Sequence, residues 1–266
     1  MSYFQHFPTR INYPITFVNQ SNTDEQRVNY SFPDLFRQVS LIYPKINDNL
    51  FYYFKTVIND GERPDQLSLR LYENINYYWT FFILNDHLRM GEMFQWPLSQ
   101  KNLSERIAET YDGVCCTTYN FGYSDSRSLV NKFKFGEKII GSETNISGTL
   151  RYVRPEVGQL IITDIESIDL EFFKVGETLV GQESGDQIII DKCVRWEDGI
   201  FNYYNKFDGR QENNPNFIDC GVGFELSNIT YGQSMQIQNE QLRYIRVLRP
   251  TSIGLFEKTV KDLLRV

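Results

Sequence analysis

A five-residue phrase recurs after forty residues in the middle of this chain, and it constrains the fold more than any other feature. Phe133-Lys134-Phe135-Gly136-Glu137 returns as Phe173-Lys174-Val175-Gly176-Glu177, Ile139-Ile140-Gly141 as Leu179-Val180-Gly181, and Glu143 as Glu183. Ser147-Gly148 and Ser184-Gly185 mark a turn in each copy, and Val153-Arg154 recurs as Val194-Arg195 with a one-residue slip. Each copy reads as strand, tight turn, strand, turn, strand. Two copies are too few for a solenoid and predict a small sandwich or paired barrels. Glycines and short apolar runs extend this β texture over residues 105–228, where helical periodicity disappears.

The flanks read differently. Residues 1–48 are a polar, aromatic-dotted arm. Ile15-Thr16-Phe17-Val18 reads there as a short strand, and Ser31, Pro33 and Asp34 start a short helix that Pro44 stops. Phe51 to Ile58 is a strand by its aromatic and β-branched content, and Asn59-Asp60-Gly61 is a turn. Pro64 and Asp65 suit a first helical turn, with Leu67 and Leu71 one turn apart on a narrow apolar face. Asn74 caps the next helix, where Tyr78 and Phe82, and Trp79 and Ile83, stand four apart. Asn85-Asp86 ends it, and Met93 to Leu98 returns as a second strand. Strand, helix, helix, strand makes a compact unit over residues 49–104. Residues 229–266 read as a helix to Leu242, a strand over Arg243 to Leu248, and a closing amphipathic helix. That last helix carries Ile253, Phe256, Val260 and Leu263 or Leu264 on one stripe, so it must dock on something. The fold class is α+β.

Catalytic chemistry finds little support in the residues. The two histidines, His6 and His87, have no nucleophile elbow to serve. Asp164, Glu166, Asp169 and Glu171 form an acidic cluster of the kind that hydrolyses sugars, but Asp169 and Glu171 alternate with Leu170 and Phe172, the pattern of a solvated strand face. No phosphate-cradling glycine loop is present. The four cysteines, Cys115, Cys116, Cys193 and Cys220, lack metal-ligand spacing and read as reduced, partly buried thiols. The chain is expected to be no enzyme and to need no cofactor and no metal.

Binding to nucleic acid is also disfavoured. The net charge is −7, and the basic group Arg151, Arg154, Lys192 and Arg195 with Tyr152 and Trp196 is diluted by nearby acids. No apolar run reaches the ~18 residues of a membrane span, and the first residues lack a signal-peptide layout, which predicts a chain made in a cytoplasm without a membrane partner. Contact with other proteins is left. Tyr and Phe number 17 and 20, and Tyr suits contact surfaces as well as cores. Three successive rings, Tyr77-Tyr78-Trp79, cannot all face one core from a helix. At least one must be partly exposed or covered by another element, which makes the triplet a candidate anchor.

Residues 62–100 resemble the baseplate wedge protein family of contractile-tailed phages, whose members carry a LysM-like domain. The residues that carry the resemblance are Arg63-Pro64, Leu67, Leu71-Tyr72, Asn74, Tyr78-Trp79, Asn85-Asp86, Trp96 and Ser99-Gln100. The tail is similar too: Asn239-Glu240-Gln241-Leu242-Arg243 precedes the strand Ile245-Arg246-Val247 and the closing helix. Together these cover about a third of the chain, and the β-rich region 105–228 has no counterpart in the shorter members. The resemblance implies a structural virion protein that joins other wedge subunits, and neighbouring copies or wedges, around the central hub. It would be located in the tail baseplate, and in the host cytoplasm during assembly. It implies that the strand-helix-helix-strand unit is the LysM-like core and the β-rich region an insertion. Candidate interface residues are then Tyr77, Tyr78, Trp79, Trp96, Phe256, Val260 and Leu263. LysM modules elsewhere bind peptidoglycan or chitin, so a glycan-binding module of a tail protein is the alternative.

Overall fold

The structure is a computed structural model that describes residues 11–14, 28–31, 52–90, 93–118, 129–166, 172–206, 209, 211–212 and 226–264. In chain order the strands are β1 (Ile11–Pro14), β2 (Val28–Ser31), β3 (Tyr53–Val57), β4 (Arg89–Met90), β5 (Met93–Phe94), β6 (Val114–Thr117), β7 (Lys138–Gly141), β8 (Ser147–Arg154), β9 (Gln159–Glu166), β10 (Thr178–Gly181), β11 (Gln187–Ile189), β12 (Lys192–Arg195), β13 (Ile200–Asn205), β14 (Gln211–Glu212), β15 (Leu226–Thr230) and β16 (Tyr244–Leu248). The helices are α1 (Pro64–Tyr72), α2 (Trp79–Leu84), α3 (Gln100–Thr110), α4 (Tyr231–Arg243) and α5 (Ile253–Leu264). The fold is mixed α+β, and the chain divides into two units, residues 1–100 with 239–266 and residues 101–238. Among the described residues no helix is long and apolar enough to cross a membrane.

In the first unit, α1 starts where Pro64 removes an N–H that would have no helical partner. The Gln66 side chain accepts the Arg63 N–H at 3.0 Å, closing the first turn. Glu73 ends the helix in the left-handed region, its N–H bonded to the Leu69 carbonyl. Asn74 then caps a short 3-10 turn, Ile75–Tyr77, by accepting the Asn76 N–H at 2.9 Å, and α2 follows. All six residues of α2 are buried. Leu67, Phe81, Phe82 and Leu88 pack on Ile245 and Val247 of β16, while Trp79, Ile83 and Leu84 pack on Leu248, Ile253 and Phe256.

The strand that returns to β3 comes from the far end of the chain. β16 pairs antiparallel with β3, from Tyr244 opposite Val57 to Leu248 opposite Tyr53. The expected return strand, Met93 to Leu98, is instead a two-residue hairpin of β4 and β5 followed by irregular chain. Its backbone is taken up otherwise: Asn239 holds Leu98 through both its N–H and its carbonyl, at 2.8 and 3.1 Å. The expected strand at Ile15 to Val18 and the helix after Ser31 lie outside the described residues.

In the second unit one antiparallel sheet runs β11-β10-β7-β8-β9-β6-β12. β11 and β12 are consecutive in the chain, yet they form opposite edges. Ile190 and Asp191 alone join them, and so short a link spans no more than about 10 Å, so the sheet curls until its edges meet. Ile139, Leu150, Leu160, Ile162, Leu179 and Ile190 fill the inside. Cys115, Ile161, Trp196 and Tyr231 pack on the other face. A second sheet runs β14-β13-β15. A single curled sheet replaces the expected sandwich or paired barrels, because β7 and β10 pair directly and put strands of both copies in one ladder. α3 stands where the sequence shows no helical periodicity: only Leu103 and Ile107 of its eleven residues are buried, which makes its periodic signal faint.

The pairing of β7 with β10 sets Ile140 opposite Val180, so equivalent residues of the two copies face each other across a local two-fold axis. Across it the copies exchange carboxylates. Glu137 accepts the Glu183 and Ser184 N–H groups, at 3.2 and 3.0 Å, and the Ser184 hydroxyl. Glu177 accepts the Glu143 and Thr144 N–H groups, both at 3.1 Å, and the Thr144 hydroxyl. Each also caps its own preceding turn, through Lys134 N–H and Lys174 N–H. The repeated glycines follow from this exchange. A Cβ at Gly141 would lie 2.7 Å from Glu177 Oε2, and one at Gly181 2.6 Å from Glu137 Oε2.

Candidate functional site

The aromatic candidates are built into the first unit. Trp79, at the head of α2, stacks on Phe256 of α5 with ring centroids 5.7 Å apart, and both side chains are buried. The ring that a lone helix has no core face for is thus covered by another element of the same chain. Tyr77 sits on the 3-10 turn, edge-on to Tyr72 at 5.9 Å, and Tyr78 at its end; both are half-buried. Half-buried Trp96 lies 5.6 Å from the Phe82 ring, and its Nε1–H donates to the Glu62 carbonyl at 2.7 Å. Val260 and Leu263 fall on α5 where the side chains lie outside the described residues.

A different set of side chains reaches the surface beside the β3–β16 ladder. A depression of about 610 Å³ is lined by Lys55 and Val57 of β3, Asp86 and His87 after α2, and Tyr244 and Arg246 of β16. Strand alternation puts Lys55, Val57, Tyr244 and Arg246 on one face. Val57 and Tyr244 are exposed apolar surface, directly opposite each other. Lys55 and Arg246 are also opposed, a like-charge pair that a ladder would ordinarily avoid. Arg246 lies over the Tyr53 ring at 5.3 Å, which eases its charge. Burial pushes the exposed-edge His87 imidazole down, Asp86 pulls it up and Arg246 pushes it down again, leaving it below its ordinary value. With Lys55 and Arg246 set against the single carboxylate of Asp86, the surface carries a small positive excess and is partly apolar, which suits an acidic, apolar-tipped partner segment.

The two edges of this ladder differ. The outer edge of β16 is sealed: Asn85 accepts the Arg246 N–H and donates to the Arg246 carbonyl, both at 2.8 Å, and the Tyr72 hydroxyl donates to the Leu248 carbonyl. Asn85 also donates to Phe81, tying the end of α2 to the strand. Asn85→Ala is expected to lower stability by about 2–3 kcal/mol, since it leaves buried backbone groups of Arg246 and Phe81 without their partner. A urea midpoint shift at unchanged slope measures it. β3 pairs with β16 alone among the described residues, and on its outer edge Arg70 donates to the Val57 carbonyl at 3.4 Å. A strand edge with no second strand beside it among the described residues can add one from a partner.

Other groups weighed from the sequence are committed elsewhere. Arg154 is held by the Tyr231 hydroxyl, the Phe201 carbonyl and Glu156, and Trp196 is buried among Tyr111, Tyr152 and Tyr231. Glu166 bonds Lys138 and Ser147; Asp169 and Glu171 lie outside the described residues. Among the described residues no three His, Cys, Asp or Glu side chains are grouped to hold a metal ion. Sequence reasoning missed the basic depression, because Lys55 and Arg246 meet only through the pairing of β3 with β16. No protein-family model matches the chain, and no curated protein matches it.

Proposed function

We propose that this chain is a non-catalytic structural protein of a contractile phage tail, a baseplate wedge component that joins neighbouring wedge subunits. The carrying observation is the order β3, α1, α2, β16: two helices packed on a two-stranded antiparallel ladder, with residues 101–238 entering between the second helix and the second strand. That order is consistent with a LysM-like core interrupted by a β-rich insertion. The residues that carry the family resemblance sit in this core: Pro64 starts α1, Asn74 caps the turn before α2, and Asn85 latches β16. The β3 edge, which has no second strand beside it among the described residues, and the Lys55–Arg246 surface form the contact site of this reading, and an acidic strand from another wedge subunit is its partner.

Co-expression with candidate wedge subunits tests this. The chain is expected to co-purify with at least one of them and to be present in tail particles. Lys55→Ala should weaken that association while changing stability by no more than about 0.5 kcal/mol, since Lys55 is exposed. A chain that stays monomeric with every subunit and is absent from tails refutes the proposal. A glycan-binding reading draws on the same depression, where the exposed Tyr244 ring offers a stacking surface. Trp79 is too buried to serve a sugar. Titration with peptidoglycan fragments separates the readings: saturable binding lost in Tyr244→Ala favours the glycan.

A further inference from the structure

Cys116 of β6 and Cys193 of β12 lie directly opposite each other in the ladder that brings β12 to the edge of the curled sheet. The bond from the Trp196 N–H to the Gly113 carbonyl sets the alternation along that ladder. It places the two cysteines at a position without mutual backbone bonds, where opposed Cα atoms approach to about 4.5 Å. That spacing is inside the range a disulfide bridges. The Sγ atoms are already in contact at 3.4 Å. Cys115, the next residue, faces the opposite side of the sheet, packed with Ile161, Trp196 and Tyr231.

We infer that Cys116 and Cys193 form a reversible intramolecular disulfide, a covalent staple across the β6–β12 seam, when the chain meets a low-molecular-weight disulfide. Cys193 is the entry point, being half-exposed where Cys116 is buried. Its Sγ attacks one sulfur of the small disulfide, forming a mixed disulfide and releasing one small thiol. Cys116 Sγ then attacks Cys193 Sγ and expels the second small thiol, which takes the Cys116 proton. Two protein thiols are oxidised and one small disulfide is reduced to two thiols. The hydrogen bond from the Cys116 thiol holds the Cys193 thiol below its ordinary pKa, while burial holds Cys116 well above its own, which fits this order of attack. Burial also pushes the Cys115 thiol up to about 12, so it stays protonated and inert. The inference rests on this geometry and is independent of any role in a tail.

The test equilibrates the full-length chain with excess oxidised glutathione and then alkylates it in denaturant. The four cysteines of the chain should fall to two alkylatable thiols, with a mass loss of about two units before alkylation. Peptide mapping should join the strand carrying Cys116 to the one carrying Cys193. Oxidation should raise the melting temperature of the second unit by about 10 °C and slow hydrogen exchange along β12. Cys115→Ser should behave like the parent chain, and Cys193→Ser should keep all its remaining thiols. Four alkylated thiols in the parent chain, or a bridge that uses Cys115 or Cys220, overturn the inference. The map on the parent chain decides it even where a variant fails to fold.

Discussion

Glu137→Ala is expected to lower the unfolding free energy of the second unit by about 3–5 kcal/mol, and Glu177→Ala by a similar amount. Each carboxylate is about 1% exposed. Each is nevertheless well paired, with one N–H from its own turn and two N–H groups and a hydroxyl from the turn of the other copy. A buried charge satisfied this way is tolerated, but removing it strands several buried donors at once. The loss also opens the space above Gly181 or Gly141, which exists because those positions have no Cβ. Denaturant unfolding followed by circular dichroism measures the effect. An Ala variant within 1 kcal/mol of the parent chain would show that the cross-cap contributes little.

The Gln variant separates charge from shape. Gln fills the same volume, but its amide nitrogen brings donors to a place lined with donors. Glu137→Gln should therefore lose most of what Glu137→Ala loses. Acid gives an independent reading. Burial pushes the Glu137 carboxyl up, but bonds from Ser184, Lys134 and Glu183 outweigh it and hold the group below its ordinary range. With a depressed folded value, the unfolded chain binds the proton first as pH falls. The stability Glu137 contributes is thus complete above the unfolded carboxyl pKa of about 4.3 and disappears as pH drops through the folded value. Between pH 7 and pH 3 the parent chain should lose more stability than Glu137→Gln. Equal losses would contradict the assignment.

What the sequence reveals about this fold depends on how local each cause is. Pro64-Asp65 and Asn74 act within a few residues of themselves, and the start of α1 and the cap appear where those signals stand. Ser184 lies in a turn as expected, but Ser147-Gly148 is paired in β8 opposite Ile140 and Ile139, and the turn falls just before it. Pairing is harder to see. Nothing near Phe51 to Ile58 says that its partner lies beyond residue 240, and the aromatic Met93 to Leu98 segment is an equally good local candidate. The buried carboxylates show the same limit from the other direction. Glu is a residue type seldom buried, and only the meeting of β7 with β10 turns Glu137 and Glu177 inward. A usable clue was present: the same acid stood at the same place in both copies, beside a glycine repeated four residues later. The basic surface at Lys55 and Arg246 had no such clue, since it exists only once β3 and β16 are paired.

Trp79→Ala is expected to destabilise the first unit by about 3–5 kcal/mol, as is Phe256→Ala, because each removes a large ring from a filled core. The two rings stack nearly parallel, 20° apart, among Ile83, Leu84, Leu248 and Ile253. They share one cavity, so the double variant should cost less than the sum of the singles. A double-mutant cycle should give a coupling of about 0.5–1.5 kcal/mol. Circular dichroism is the appropriate probe, since Trp79→Ala removes a fluorophore. The experiment also decides what the aromatic triplet does. If Trp79 anchored a partner, its loss would weaken association and leave the isolated chain intact. The packing on Phe256 requires the opposite: a large loss of stability in the chain alone, with Trp79→Phe recovering much of it by keeping a ring on the stack. Unaltered stability in Trp79→Ala would mean that α5 does not hold this helix, and that its amphipathic stripe docks elsewhere.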